Sequence, residues 1–81
     1  MRHAGTDALD RLEPLLHELR QQAGLVERSR GVFYRRSKAF LHFHEDHSGL
    51  YADVRVDDEF ERFPVSSGDE RRKLVALVRS L

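Results

Sequence analysis

Two histidines and an aspartate carry the sharpest chemical signal in this chain. His42 and His44 stand two residues apart in Ala39-Phe40-Leu41-His42-Phe43-His44, and Asp53 lies in Leu50-Tyr51-Ala52-Asp53-Val54-Arg55-Val56. Residues at i and i+2 of a strand share a face, with Cβ atoms about 6–7 Å apart, near enough to converge on one ion. Asp53 opposite His42 would complete a two-histidine, one-carboxylate set with open positions, suited to iron or zinc. The plainer reading is a solvated sheet face, His42 hydrogen-bonding Asp53 and His44 packing on Tyr51 as cross-strand pairs. The plainer reading takes precedence, because H-x-H alone is a weak signal and a chain of 81 residues offers little cavity to exclude water. His47 belongs to a loop, and His3 and His17 fall outside the cluster.

Catalysis of other kinds has less behind it. Asp53 and His42 could form the lower part of a triad, yet no serine shares their face: Ser37 and Ser48 belong to turns, Ser66 and Ser67 to a helix start. Asp57, Asp58, Glu59 and Glu61 read as an exposed acidic turn that also discourages edge-to-edge pairing. The five glycines are scattered, so there is no phosphate-cradling loop. No catalytic residue and no cofactor is expected.

Binding is easier to build. Phe40, His42, His44, Tyr51, Asp53 and Arg55 fall on the polar row of the strands and form a candidate ligand surface, Phe40 offering an aromatic plane for stacking or half of a dimer contact. The alternative covers Phe40 with the N-terminal segment or with Leu25 and Val26. Fourteen basic residues balance fourteen acidic ones, so net charge does not mark a nucleic-acid binder. Their distribution is uneven. Arg28, Arg30, Arg35, Arg36 and Lys38 crowd one stretch and could contact phosphates through arginine forks, while acids crowd residues 45–61.

The elements follow from periodicity. Leu12, Leu15, Leu16, Leu19 and Ala23 recur at helical spacing; Pro14 suits a first turn, which predicts a regular helix starting near Asp10 to Glu13, with Gly24 as its stop. Residues 1–5 are expected to be disordered. A polar connector over residues 27–31 precedes a strand at Val32-Phe33-Tyr34-Arg35 and a short turn at Arg36-Ser37-Lys38. Two registers stay open for that hairpin, one setting Phe33 in the apolar row and one setting Val32 and Tyr34 there. The next hairpin is better determined. A four-residue loop Asp46-His47-Ser48-Gly49 sets Glu45 opposite Leu50, Phe43 opposite Ala52, Leu41 opposite Val54 and Ala39 opposite Val56. On the other face His44 meets Tyr51, His42 meets Asp53 and Phe40 meets Arg55; a slip of one would mix the faces. Pro64 predicts an edge strand near residues 59–65, with a bulge or helical turn to reconcile Phe60 and Phe63. Ser67 and Glu70 form a capping box ahead of a helix carrying Leu74, Val75, Leu77, Val78 and Leu81.

The sum is one α+β domain: an N-terminal helix, an antiparallel sheet of about four strands, and a C-terminal helix on one face. There is no cysteine, hence no disulfide or thiolate site, and no apolar run long enough to span a bilayer. A cytoplasmic protein without membrane association is expected.

The run Lys38-Ala39-Phe40-Leu41-His42-Phe43-His44-Glu45-Asp46-His47-Ser48-Gly49 resembles the central hairpin of the MmcQ/YjbR-like family, with Lys38, Phe40, Phe43, Asp46, His47 and Gly49 at matching places. The resemblance covers about half of the chain and departs at residues 60–65, where family members carry a tryptophan-containing segment. It implies a double-wing type of α+β fold and, by fold analogy, DNA binding; it transfers no catalytic residues.

The leading expectation is a small non-catalytic binding or regulatory module for nucleic acid or another phosphate-bearing ligand. A self-associating homodimer is the second reading, and a metal-dependent enzyme using His42, His44 and Asp53 is the third.

Overall fold

A computed structural model describes residues 2–81. Among them the elements run β1 (Arg2–His3), α1 (Thr6–Arg20), β2 (Leu25–Ser29), β3 (Val32–Arg35), β4 (Lys38–Asp46), β5 (Gly49–Val56), β6 (Glu59–Pro64) and α2 (Gly68–Ser80). The α+β class holds, with six strands rather than four. Strands β2 to β6 form an antiparallel meander in chain order, and β1 lies alongside β4.

Two of these strands depart from expectation. Residues 2–5 are ordered: Arg2 and His3 pair with Glu45 and His44, and the Ala4 amide donates to the Phe43 carbonyl. Met1 lies outside the described residues. The supposed polar connector is β2, whose Leu25, Val26 and Glu27 pair with Arg35, Tyr34 and Phe33. Its charges misled because Glu27 points back toward α1, where the Arg20 guanidinium satisfies it.

Helix α1 also starts earlier than Pro14 suggests. It begins at Thr6, and Ala8, Leu12, Leu15, Leu16 and Leu19 form its buried stripe. Pro14 sits on the exposed side, so the one ladder bond it removes leaves a carbonyl facing water. α2 opens with the expected capping box, Ser67 accepting from the Glu70 amide while the Glu70 carboxylate accepts from the Ser67 amide.

The sheet's registers rest on tight turns. Arg36-Ser37 and Asp57-Asp58 have all four residues at positive φ, between 51° and 69°, as type I′ hairpin turns require. At the first of them a conflict arises. The turn sets Arg35 opposite Lys38 and Tyr34 opposite Ala39, while core packing sets Phe33 opposite Leu41. Phe40 is the extra residue between, a bulge that reconciles the two registers left open by periodicity. The bulge also turns Phe40 inward: it is 4% exposed and part of the core, not of the polar face expected for it.

From Leu41 onward the β4–β5 register is the expected one, with Leu41, His42, Phe43, His44 and Glu45 opposite Val54, Asp53, Ala52, Tyr51 and Leu50. Only His47 and Ser48 lie outside the strands at this turn, and the Asp46 carboxylate holds it by accepting from the Ser48 amide and hydroxyl. β6 is an unbulged edge strand, with Phe63 opposite Ala52 and Phe60 opposite Arg55; the two phenylalanines simply occupy opposite faces. One face of the sheet meets both helices in a single core that includes Leu12, Leu16, Phe33, Leu41, Phe43, Val54 and Leu74. The other face has no helix over it. Among the described residues no helix is long and apolar enough to cross a membrane.

Candidate metal centre on the open sheet face

Asp53 anchors the open face. It is the one buried charged residue among those described, at 8% exposure. Burial of a carboxylate is costly unless it is paired, and β6 supplies the partner. The register sets Arg62 opposite Asp53, and its guanidinium grips the carboxylate bidentately, Nε to Oδ1 at 2.7 Å and Nη2 to Oδ2 at 2.8 Å. These hydrogen bonds hold the Asp53 carboxyl below the usual carboxylate range.

Two imidazoles from β4 complete the cluster. His42 Nε2 is 3.4 Å and His44 Nε2 is 3.1 Å from the same oxygen, Asp53 Oδ2. The rings meet edge-on with centroids 4.9 Å apart. The buried His44 Nε2 is not aligned for a hydrogen bond and makes none among the described residues. Burial pushes the His42 imidazole below its ordinary value, opposed by the Asp53 charge and reinforced by His44. Neutral His42 and ionised Asp53 at pH 7 are the protonation states that a metal requires of its ligands.

The spacing suits a cation. Nitrogen and oxygen ligands around a tetrahedral zinc stand about 3.3–3.5 Å apart, given bonds of about 2.0–2.2 Å. Both His–Asp distances lie near that value, and the donor atoms of all three residues fall within 4.8 Å of one another. Arg62 holds both carboxylate oxygens, so an ion at Oδ2 would share that oxygen with Nη2 while Nε keeps Oδ1, which makes Arg62 an orienting partner of the carboxylate.

Three neighbours were not expected here: Arg62, described above, His3 and Phe60. His3, delivered by β1, stacks on His44 with centroids 4.7 Å apart and approaches His42 at 5.7 Å. Phe60, 41% exposed, presents its ring to His42 at 5.0 Å, and the Arg55 guanidinium lies over its other side at 4.7 Å. Arg62 and Phe60 become foreseeable once Asp57-Asp58 is read as a two-residue turn, since Glu59 then faces Val56 and Arg62 faces Asp53. His3 has no such signal, because its placement depends on a strand far away in sequence.

The other sequence candidates scatter. Tyr51 lies opposite His44, but its hydroxyl hydrogen-bonds Ser48 at 2.6 Å. Arg55 donates to the Ala39 carbonyl. Arg30 reaches across to Asp10 and Glu13 on α1, and Arg28 stacks on Tyr34. Arg35, Arg36 and Lys38 stand at the far end of the sheet, where with Arg55, Asp57 and Asp58 they line an open cleft of about 410 Å³ floored by Phe40. The five basic residues therefore do not form one patch.

Comparison with family models, curated proteins and solved structures finds no match for this chain.

Proposed function

We propose that this chain is a small binding module for a divalent transition-metal ion, held by His42, His44 and Asp53 on the helix-free face of the sheet. One observation carries the reading: two imidazole nitrogens from one strand converge on Asp53 Oδ2, an oxygen of a carboxylate that Arg62 orients by holding both of its oxygens. Without an ion, two ring nitrogens and the Arg62 Nη2 crowd Asp53 Oδ2, and the buried His44 Nε2 goes without a hydrogen bond; an ion would give these ring nitrogens a partner. Imidazole and carboxylate ligands favour zinc, iron(II), nickel or copper over magnesium and calcium, which prefer oxygen alone.

Calorimetric titration of the chain with zinc chloride, alongside histidine-selective NMR, tests this. One equivalent of zinc should shift the His42 and His44 ring signals, and His42→Ala and His44→Ala should each weaken binding at least tenfold. Absence of both heat and ring shifts would sink the reading.

The phosphate reading keeps one specific support, the cleft in which Arg35, Arg36, Lys38 and Arg55 outnumber Asp57 and Asp58. Lys38 is already drawn toward Asp58, and Arg35 lies over Phe40. Shifts of the Arg36 and Lys38 amides on adding single-stranded DNA, removed by Arg36→Ala, would favour it.

A further inference from the structure

We infer that His3 is a fourth ligand, so that metal binding and docking of the N-terminal strand are one event; this rests on the metal reading above and names how that site is completed. Three donors from β4 and β5 leave a tetrahedral ion one position short. The structure sets one more lone-pair donor beside them. Antiparallel pairing of β1 with β4 makes His3 the cross-strand partner of His44, which sets both on the open face, and the imidazoles stack at 4.7 Å with planes 28° apart. His3 is exposed, so its ring is free to change rotamer and leave the stack for a place in the ligand set.

The strand that brings it is lightly held. β1 is two residues long. Beyond its ladder pairing with β4 and the packing of Ala4 on the core, it is held by the Ala4 amide to the Phe43 carbonyl and by one carboxylate, Glu45, which accepts from the Gly5 amide at 2.6 Å and from Arg2 at 3.3 Å. Arg2 is highly exposed, so its ion pair adds little in water. A segment secured so lightly opens and closes readily. An ion that takes His3 as a ligand binds only the closed arrangement and must shift the population toward it. Three imidazoles and one carboxylate form the closed, four-coordinate donor set of a tightly held zinc ion, whereas three ligands alone leave the ion open to water.

The test uses the whole chain with zinc chloride, reading affinity by competition with a chromogenic chelator and strand docking by hydrogen exchange at the Ala4 amide. Zinc should slow exchange at Ala4 at least tenfold in the wild type. His3→Ala and His3→Gln should both weaken zinc about tenfold or more and abolish that protection. Cobalt(II) should give an intense four-coordinate visible spectrum only when His3 is present. Wild-type zinc affinity in His3→Ala, with Ala4 exchange indifferent to zinc, would overturn the role of His3 while leaving the three-residue site standing. No zinc binding by the wild-type chain would overturn both.

Discussion

The two faces of one sheet follow opposite rules. Beneath it, Leu41, Phe43, Ala52 and Val54 interlock with leucines and valines of both helices, and each is almost wholly buried. Above it, within the same strands, the side chains of His42, His44 and Asp53 are 22%, 13% and 12% exposed without any helix over them. The lower face is hidden by what packs on it; the upper face is hidden by its own long side chains, Arg62, Phe60 and His3 leaning over the centre. Apolar burial asks only for shape, whereas a charge in a half-dry setting needs named partners at fixed distances. Stability should therefore reside below and specificity above.

The largest effect expected is from crossing that divide at adjacent positions. Leu41→Ala, below, should lose about 2–5 kcal/mol in urea unfolding, since a fully buried leucine leaves a cavity. His42→Ala, the next residue and above, should stay within about 1 kcal/mol of wild type yet lose zinc. Equal destabilisation by the two would break the comparison.

Next in size is Asp53→Asn. It removes a charge-assisted pair whose arginine is substantially exposed, so the loss should be about 1 kcal/mol after solvent screening, with zinc affinity falling far more steeply. A change in stability without a change in zinc affinity would reduce Asp53 to a structural ion pair.

The pH dependence sharpens the same contrast. Because burial lowers the His42 value, the unfolded chain binds more protons than the folded one between that value and about 6.5. Folding stability should then drop as pH falls below about 6.5, and the urea midpoint of His42→Gln should be flatter across that window. Asp53, depressed by Arg62, contributes stability above its ordinary value near 3.9 that is lost only at lower pH.

The smallest effect lies at a turn, away from both faces. Ser37→Gly relieves a side chain at φ 68° and should raise stability by about 0.5–1 kcal/mol, with zinc affinity unchanged.

Much of this was legible beforehand. Parity alone paired His42 with Asp53 and His44 with Tyr51, because any slip would have put imidazoles in the core. Ser67 and Glu70 announced the second helix, and Pro64 the edge strand. What misled was non-local. The bulge at Phe40 arises from a contest between a turn and a core that periodicity sees only one at a time, and it removed the aromatic from the proposed binding surface. β2 was obscured by Glu27, whose arginine comes from α1. β1 was invisible because two residues carry no period. Pro14 looked like a helix start because proline suits a first turn, yet on the exposed side an interior proline is tolerated.

The meander has a kinetic consequence. His42, His44, Asp53 and Arg62 come from three successive strands joined by two-residue turns, so little chain entropy opposes bringing them together. Pairing between sequence neighbours keeps contact order below that of sheets with distant pairings, which favours faster folding. Closing the loop between the carboxylate and its two rings therefore costs little, whereas the arm bearing His3 is separated from them by the whole of the first helix.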